Sequence, residues 1–184
     1  AAFKKPGAPE SDFYYFSENN AKYDSWFGVA SLPKFNWKSK ELRKRFIQGP
    51  KSVVGKWLRA PFNMDGWRID VANMTGRIRD EDMYLEVAQV IRKTMVEANP
   101  NTMMLGEYTG DAAYEVQGDG WQGAMTYSNF TKPVWRWFYN KHAKGDPGFM
   151  MWDGNYQGSG VDLVTSYNQF IAGFPWHVRL HNMN

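Results

Sequence analysis

Apolar and polar residues alternate between positions 65 and 71. Trp67, Ile69 and Val71 form one set, while Arg68, Asp70 and then Ala72 form the other. Successive strand side chains point to opposite faces, so this segment reads as a β-strand entered through the Asp65-Gly66 turn. On either side the period lengthens. From Ser39 the positions Leu42, Phe46 and Ile47 follow helical spacing; the pattern breaks at Gly49-Pro50 and resumes with Val53, Val54, Trp57 and Leu58, with Pro50 suited to the first turn. Met83, Val87, Val90, Ile91 and Met95 repeat at helical spacing. There Asp80 is the expected N-cap, Glu81 and Asp82 the acidic first turn, and Asn99-Pro100 the stop. The run TMMLGEY at 102–108 reads as a second strand and GAMTYSNF at 123–130 as a third. An aromatic helix around PVWRWFYNKH and a last helix from about 162 over DLVTSYNQFIAG follow. Strand, helix, strand, then strand and helix again is the order of parallel βα units, so the fold class is α/β. Either an open doubly wound sheet or part of a closed barrel fits. No glycine-rich phosphate loop follows any strand, which disfavours nucleotide-binding versions.

The first 37 residues lack a clean period. They are rich in aromatic and turn residues, SDFYYFSENNAKYDSWFGVASLPKFNW, and such aromatics seek burial, so they read as a structured excursion rather than a linker. Aromatic residues make up 17% of the chain, nine of them Trp. Most are expected in the core, but flat rings also stack on the apolar faces of sugars. The net charge of +3 is too mild to imply nucleic acid, and the basic run KSKELRKR at 38–45 reads as a solvated helix face. With no cysteine, thiolate metal sites, disulfides and cysteine nucleophiles are excluded. No apolar run approaches the ~18 residues of a membrane-spanning helix, and AAFKKPGAPESDF has no apolar signal region. A soluble protein is expected, cytoplasmic or secreted, with cytoplasmic favoured. Nothing in the pattern speaks to oligomeric state.

Arg68 and Asp70 raise a chemical question. If the apolar face of their strand packs against helices, the charged pair must point into another enclosed place, where unpaired charge is costly. Asp70 and Glu107 lie at or near the ends of two expected strands joined by one helix, 37 residues apart. Two carboxylates on neighbouring barrel strands are the minimal equipment for glycoside hydrolysis; at roughly 5–5.5 Å one acts as nucleophile and the other as acid. Arg68 would hold Asp70 ionised, making it the natural nucleophile. Glu107, between Gly106 and Tyr108, has the less charged setting expected of a proton donor. A structural ion pair and a loop carboxylate are the plain alternatives.

These residues also carry a resemblance. GWRIDVAN at 66–73 resembles the strand-four motif of the α-amylase superfamily of glycoside hydrolases (family 13), which implies that Asp70 is the nucleophile and Arg68 its partner arginine. MMLGEY at 103–108 looks like the strand-five motif, implying Glu107 as general acid/base. LPKFN at 32–36 resembles the motif of the domain B excursion after strand three, in the form seen in neopullulanase and cyclomaltodextrinase relatives. The resemblance implies a partial (β/α)8 TIM barrel, about strands four to six or seven, at 39–184, with part of domain B at 1–38. It implies hydrolysis of α-glucosidic bonds in maltooligosaccharides, starch-type glucans or cyclodextrins, with retention. Asn73 falls where acceptor-side sugar contacts occur, Tyr108 is a candidate stacking platform, and Trp26 and Phe35 are candidates to line the cleft.

The strand-three motif and the His-Asp pair of strand seven are absent. None of His142, His177 and His181 is followed by Asp. The chain is therefore expected to be an internal slice, inactive by itself, and a non-catalytic amylase-like barrel acting as a binding or partner protein is the rival function. No His/Asp/Glu cluster has metal-ligand spacing. Calcium, which many relatives bind near the excursion, would have oxygen donors in Asp12, Asn19, Asn20 and Asp24, or in DPGFMMWDGNYQGSG at 146–160. Turn-forming and surface-loop roles are the alternatives for these residues.

Overall fold

The computed structural model describes residues 4–125, 127–138 and 158–181. The chain forms two compact units: one takes residues up to Trp67 together with Met74–Thr102, the other Arg68–Asn73 and the chain from Met103 onward.

In the first unit the excursion is ordered by its rings and by single antiparallel bridges, Tyr14 with Phe35, Phe16 with Tyr23 and Ser25 with Pro33. Phe35 is its hub, with ring centroids 5.7 Å from Tyr14, 5.6 Å from Trp37 and 5.1 Å from Phe46. Helix α1, Lys40–Phe46, is capped by Ser39, whose oxygen accepts the Leu42 N–H at 3.3 Å while its hydroxyl donates to Asp12 Oδ2 at 2.6 Å. Helix α2, Val53–Trp57, is capped in the same way by Ser52. Pro50 therefore lies in the turn before α2 rather than in its first turn, because the Ser52 side chain satisfies the orphan amide that defines the start.

Helix α3, Tyr84–Ala98, buries the expected stripe of Val87, Ile91 and Met95 and stops at Asn99-Pro100. Its start differs from expectation. Asp80 is not the N-cap, and Glu81 and Asp82 are not its first turn. They form a short strand β3, Glu81–Asp82, paired antiparallel with β2, Arg77–Ile78. The cause is a closer partner: Asp82 binds Arg77 at 3.1 Å and accepts the Tyr84 N–H at 3.3 Å from two residues before the helix. Gly76 (φ 90°) leads into this hairpin and packs against the start of α3; a Cβ there would stand 2.9 Å from the Met83 carbonyl carbon.

Glu81 also joins the excursion to this hairpin. Lys38 Nζ donates to it at 2.6 Å and the Tyr15 hydroxyl at 2.7 Å. These two bonds, Lys38 first, hold the Glu81 carboxyl below its ordinary range. Burial, and then the bond to Glu81, push the Tyr15 phenol up to about 12. The signs follow. The Glu81 contribution to stability is present above the unfolded carboxylate value, about 4.3, and is lost as pH falls through the lower folded value. The Tyr15 contribution is complete below the unfolded phenol value, about 10, and is lost as pH rises through about 12. Titration of tyrosinate absorbance should show a late phenol that disappears in Tyr15→Phe, with the Glu81 carboxyl moving up in the same variant. An unchanged phenol profile in Tyr15→Phe would count against this assignment.

Strand β1, Gly66–Ile69, carries the chain from the first unit into the second. It joins β4, Met103–Gly106, and β5, Gly123–Ala124, in a sheet of order β1-β4-β5. β4 and β5 run parallel, Leu105 opposite Gly123 and Gly106 opposite Ala124. Two expected strands are shorter than their apolar runs. β1 ends at Ile69 because Val71 takes a left-handed conformation (φ 44°) and Ala72–Met74 turn as 3-10 helix. β5 ends at Ala124, and Tyr127–Thr131 form a π-helical turn leading directly into α4, Lys132–Phe138. Helix α5, Gly160–Ile171, is capped by Ser159, and α6, Trp176–His181, forms where the sequence pattern assigned no element. Met104, Val116, Trp121, Ile171, Phe174 and Val178 make the core of this unit. His142 and most of the stretch 146–160 lie outside the described residues. Among the described residues no helix is long and apolar enough to cross a membrane.

Candidate active site

Asp70 directly follows the last residue of β1, and Glu107 directly follows the last residue of β4. The sheet makes these strands neighbours, so two carboxylates distant in sequence leave adjacent strand ends together. The backbone then fixes their register. The Glu107 N–H donates to the Ile69 carbonyl at 2.9 Å and its own carbonyl accepts from Ala72 at 3.0 Å, so one residue grips the chain on both sides of Asp70. A third bond runs from the Val71 N–H to Glu107 Oε2 at 2.9 Å. The left-handed Val71 is thus accounted for. A β-branched residue in that region is unfavourable by about 1–3 kcal/mol, and the turn it makes aims its amide at the Glu107 carboxylate.

Arg68 links the carboxylates. Its NH1 donates to Asp70 Oδ1 in a short ion pair, and its NH2 lies 2.7 Å from Glu107 Oε1. Burial opposes the charge on the guanidinium, but the bond to Asp70 and the attraction of Glu107 and Asp70 outweigh it and raise Arg68 above its ordinary value. The Tyr127 hydroxyl, on the π-helical turn, adds to that field, and the sequence pattern passed over Tyr127 as part of an expected strand.

Two expectations need correction. Ala72, expected on the charged face with Arg68 and Asp70, is buried, while in these 184 residues the Asp70 side chain is 74% exposed and that of Arg68 40%. The alternation ends at Ile69, so Ala72 belongs to a turn and not to a strand face. Nor is the setting of Glu107 less charged than that of Asp70. One of its oxygens accepts the Val71 N–H and the other is ion-paired with the same guanidinium. The sequence could not show this, because Arg68 lies two residues from Asp70 and 39 from Glu107.

The other candidates divide between the units. Asn73 sits half-buried in the 3-10 turn after Asp70. Tyr108 folds over Gly110, where a Cβ would meet its ring carbon Cζ at 2.7 Å, and its edge faces Trp121 at 6.4 Å. Trp26 and Phe35 belong to the first unit. Trp26 packs edge-on against Phe27 at 5.0 Å, with an indole N–H that is buried and has no partner among the described residues, and Phe35 is the hub of the ring cluster. A cleft of about 350 Å³ in this unit is lined by Tyr23, Asp24, Ser25, Gly28, Lys34, Ile78 and Arg79. The calcium donors have other partners or roles: Asp12 accepts from Ser39, Asp24 from Arg79 at 2.7 Å, and Asn19 and Asn20 make a turn at φ 54° and 53°. Among the described residues no group of three or more His, Asp or Glu is placed to hold a metal ion.

Known proteins resemble this chain in sequence and fold. The model of the alpha-amylase catalytic domain matches residues 6–159. The intracellular maltogenic amylase of Bacillus subtilis (strain 168) is 32% identical over 127 residues, which cover 67% of this chain and 18% of that protein. The cyclomaltodextrinase of Geobacillus thermopakistaniensis (strain MAS1) is 29% identical over 116 residues, 63% of this chain and 18% of that protein. The chain thus spans less than a fifth of the length of these curated relatives. A debranching enzyme of Nostoc punctiforme superposes with a TM-score of 0.68 over 96% of this chain and 35% of its own at 21% identity, a likeness of fold that makes the strand–helix order here part of a (β/α)8 barrel. With the family model matching well over half of its residues, the chain belongs to the alpha-amylase catalytic-domain family.

Proposed function

We propose that these residues carry the nucleophile and the acid/base of a retaining hydrolase of α-glucosidic bonds, with maltooligosaccharides, starch-type glucans or cyclodextrins as substrates. The observation that carries this reading is the single guanidinium of Arg68 bound to both Asp70 and Glu107 at the ends of neighbouring strands. The names of the maltogenic amylase and the cyclomaltodextrinase support the substrate class. In this reading Asp70 attacks the anomeric carbon while Glu107 gives a proton to the departing glycosidic oxygen. Glu107 then takes a proton from water, which displaces Asp70, and the two inversions give net retention. The arrangement seen here, with one Glu107 oxygen accepting the Val71 N–H and the other ion-paired with Arg68, suits the second, base-assisted step.

Residues 39–184 then form a barrel portion of about strands four to six or seven, and 1–38 an excursion of domain B type. Asn73 and Tyr108 serve the acceptor side, and Trp26 and Phe35 the cleft. The intracellular designation of the B. subtilis relative supports a cytoplasmic setting.

The test is to trap the glycosyl-enzyme with a fluorinated α-glucosyl fluoride in the full-length protein and locate it by peptide mass spectrometry. One sugar on the peptide holding Asp70 is expected, and none in Asp70→Asn. Glu107→Gln should lower maltotriose hydrolysis by about 10²–10⁴-fold. It should leave the first step with α-glucosyl fluoride, which needs no proton, nearly intact. The 184 residues alone contain no His-Asp pair and are expected to be inert towards maltotriose. A full-length protein that takes no label supports the rival reading, a non-catalytic amylase-like binding protein.

A further inference from the structure

We propose that Trp121 is a positioning residue for Glu107 and acts through Gly106; this rests on the reading of Glu107 as the acid/base. Gly106 closes β4 and Glu107 comes next, so whatever holds Gly106 sets where the carboxylate begins. The indole of Trp121, 2% exposed, lies against Gly106: a Cβ there would stand 2.7 Å from Cε2 and closer still to Cδ2 and Cε3. A glycine in a strand weakens it unless another group must come close, and here that group is the Trp121 ring.

The backbone that carries the ring is itself anchored. The main-chain N–H of Trp121 donates to the Glu115 carbonyl at 3.1 Å. The next residue, Gln122, clasps Met104 of the same strand, its side chain accepting the Met104 N–H at 2.7 Å and its own N–H donating to the Met104 carbonyl at 2.9 Å. The end of β4 is therefore fixed by Trp121 against Gly106 and by the bonds of Glu107 to Ile69 and Ala72. Ring and glycine act as one device, and neither is part of an apolar periodicity.

The experiment uses NMR on the 184-residue chain and does not depend on turnover. The Val71 N–H donates to Glu107 Oε2, so its chemical shift follows the ionisation of Glu107 with pH. In Trp121→Leu we expect this pH response at Val71 to be lost. Hydrogen exchange at the Glu107 and Ala72 amides should rise at least tenfold relative to Leu163 and Ala172, whose bonds lie in α5. Trp121→Phe keeps a ring on Gly106 and should restore the Val71 response. Uniform acceleration of exchange across the site and α5, with the Val71 response intact, means that Trp121 only fills the core and overturns the proposal; so does an unchanged exchange pattern. If Trp121→Leu does not fold, Trp121→Met decides: a selective rise of at least about threefold at Glu107 and Ala72 supports the device, and no selective rise refutes it. Failure of the labelling test above with success here would remove the enzymatic reading and leave the positioning of Glu107 intact.

Discussion

In the proposed hydrolase, replacing Arg68 by leucine should reduce hydrolysis of maltotriose by about 10²–10³-fold in kcat, the usual effect of removing one preorganised donor from a reacting group, while barely changing stability. The two effects separate for a physical reason. Arg68 and Asp70 are well exposed, and an exposed ion pair contributes about 0–1 kcal/mol because water and salt screen it. The same guanidinium nevertheless sets the distance and orientation of two carboxylates. Without it, Asp70 and Glu107 face each other as like charges on adjacent strand ends, and neither keeps the geometry needed for attack or proton transfer. Steady-state kinetics of the full-length protein, set beside thermal unfolding of the 184-residue chain, tests both halves. A large fall in melting temperature with kcat unchanged would show instead that Arg68 is a structural ion-pair partner.

The second large effect concerns stability. Gly106→Ala puts a methyl group into the Trp121 indole, which is buried and cannot swing into solvent, while Leu105 and Gly106 are held in the parallel ladder with β5. Overpacking of this kind costs about 1–3 kcal/mol. For a chain of this size about 2 kcal/mol corresponds to roughly 4–8 °C in melting temperature. Circular dichroism on heating measures the shift, and Gly106→Ala combined with Trp121→Phe should recover part of it, since contacting residues are not additive. An unchanged melting temperature in the single variant would mean that the strand end gives way and that the ring contact is soft.

The sequence alone determined those features in which one residue type has one physical use. The stripe of Val87, Ile91 and Met95 specified a helix because only helical spacing gathers those residues on one side, and Asn99-Pro100 specified its end. The strands before Asp70 and Glu107 were legible from their apolar patterns, and the motifs GWRIDVAN and MMLGEY from their resemblance to the family. Tertiary structure decided whatever depended on a partner distant in the chain. Asp80 lost its cap because Asp82 binds Arg77 across a hairpin. The run from Gly123 to Phe130 ended as a strand after two residues because the chain turns helical at Tyr127. Glu107 gained a charged setting because the sheet brings β4 beside β1, where one arginine reaches both carboxylates and a left-handed Val71 offers an amide. A spacing along the chain encodes which faces can be buried, whereas the partner of a charge is set by which strands become neighbours, and that is settled only when the chain has folded.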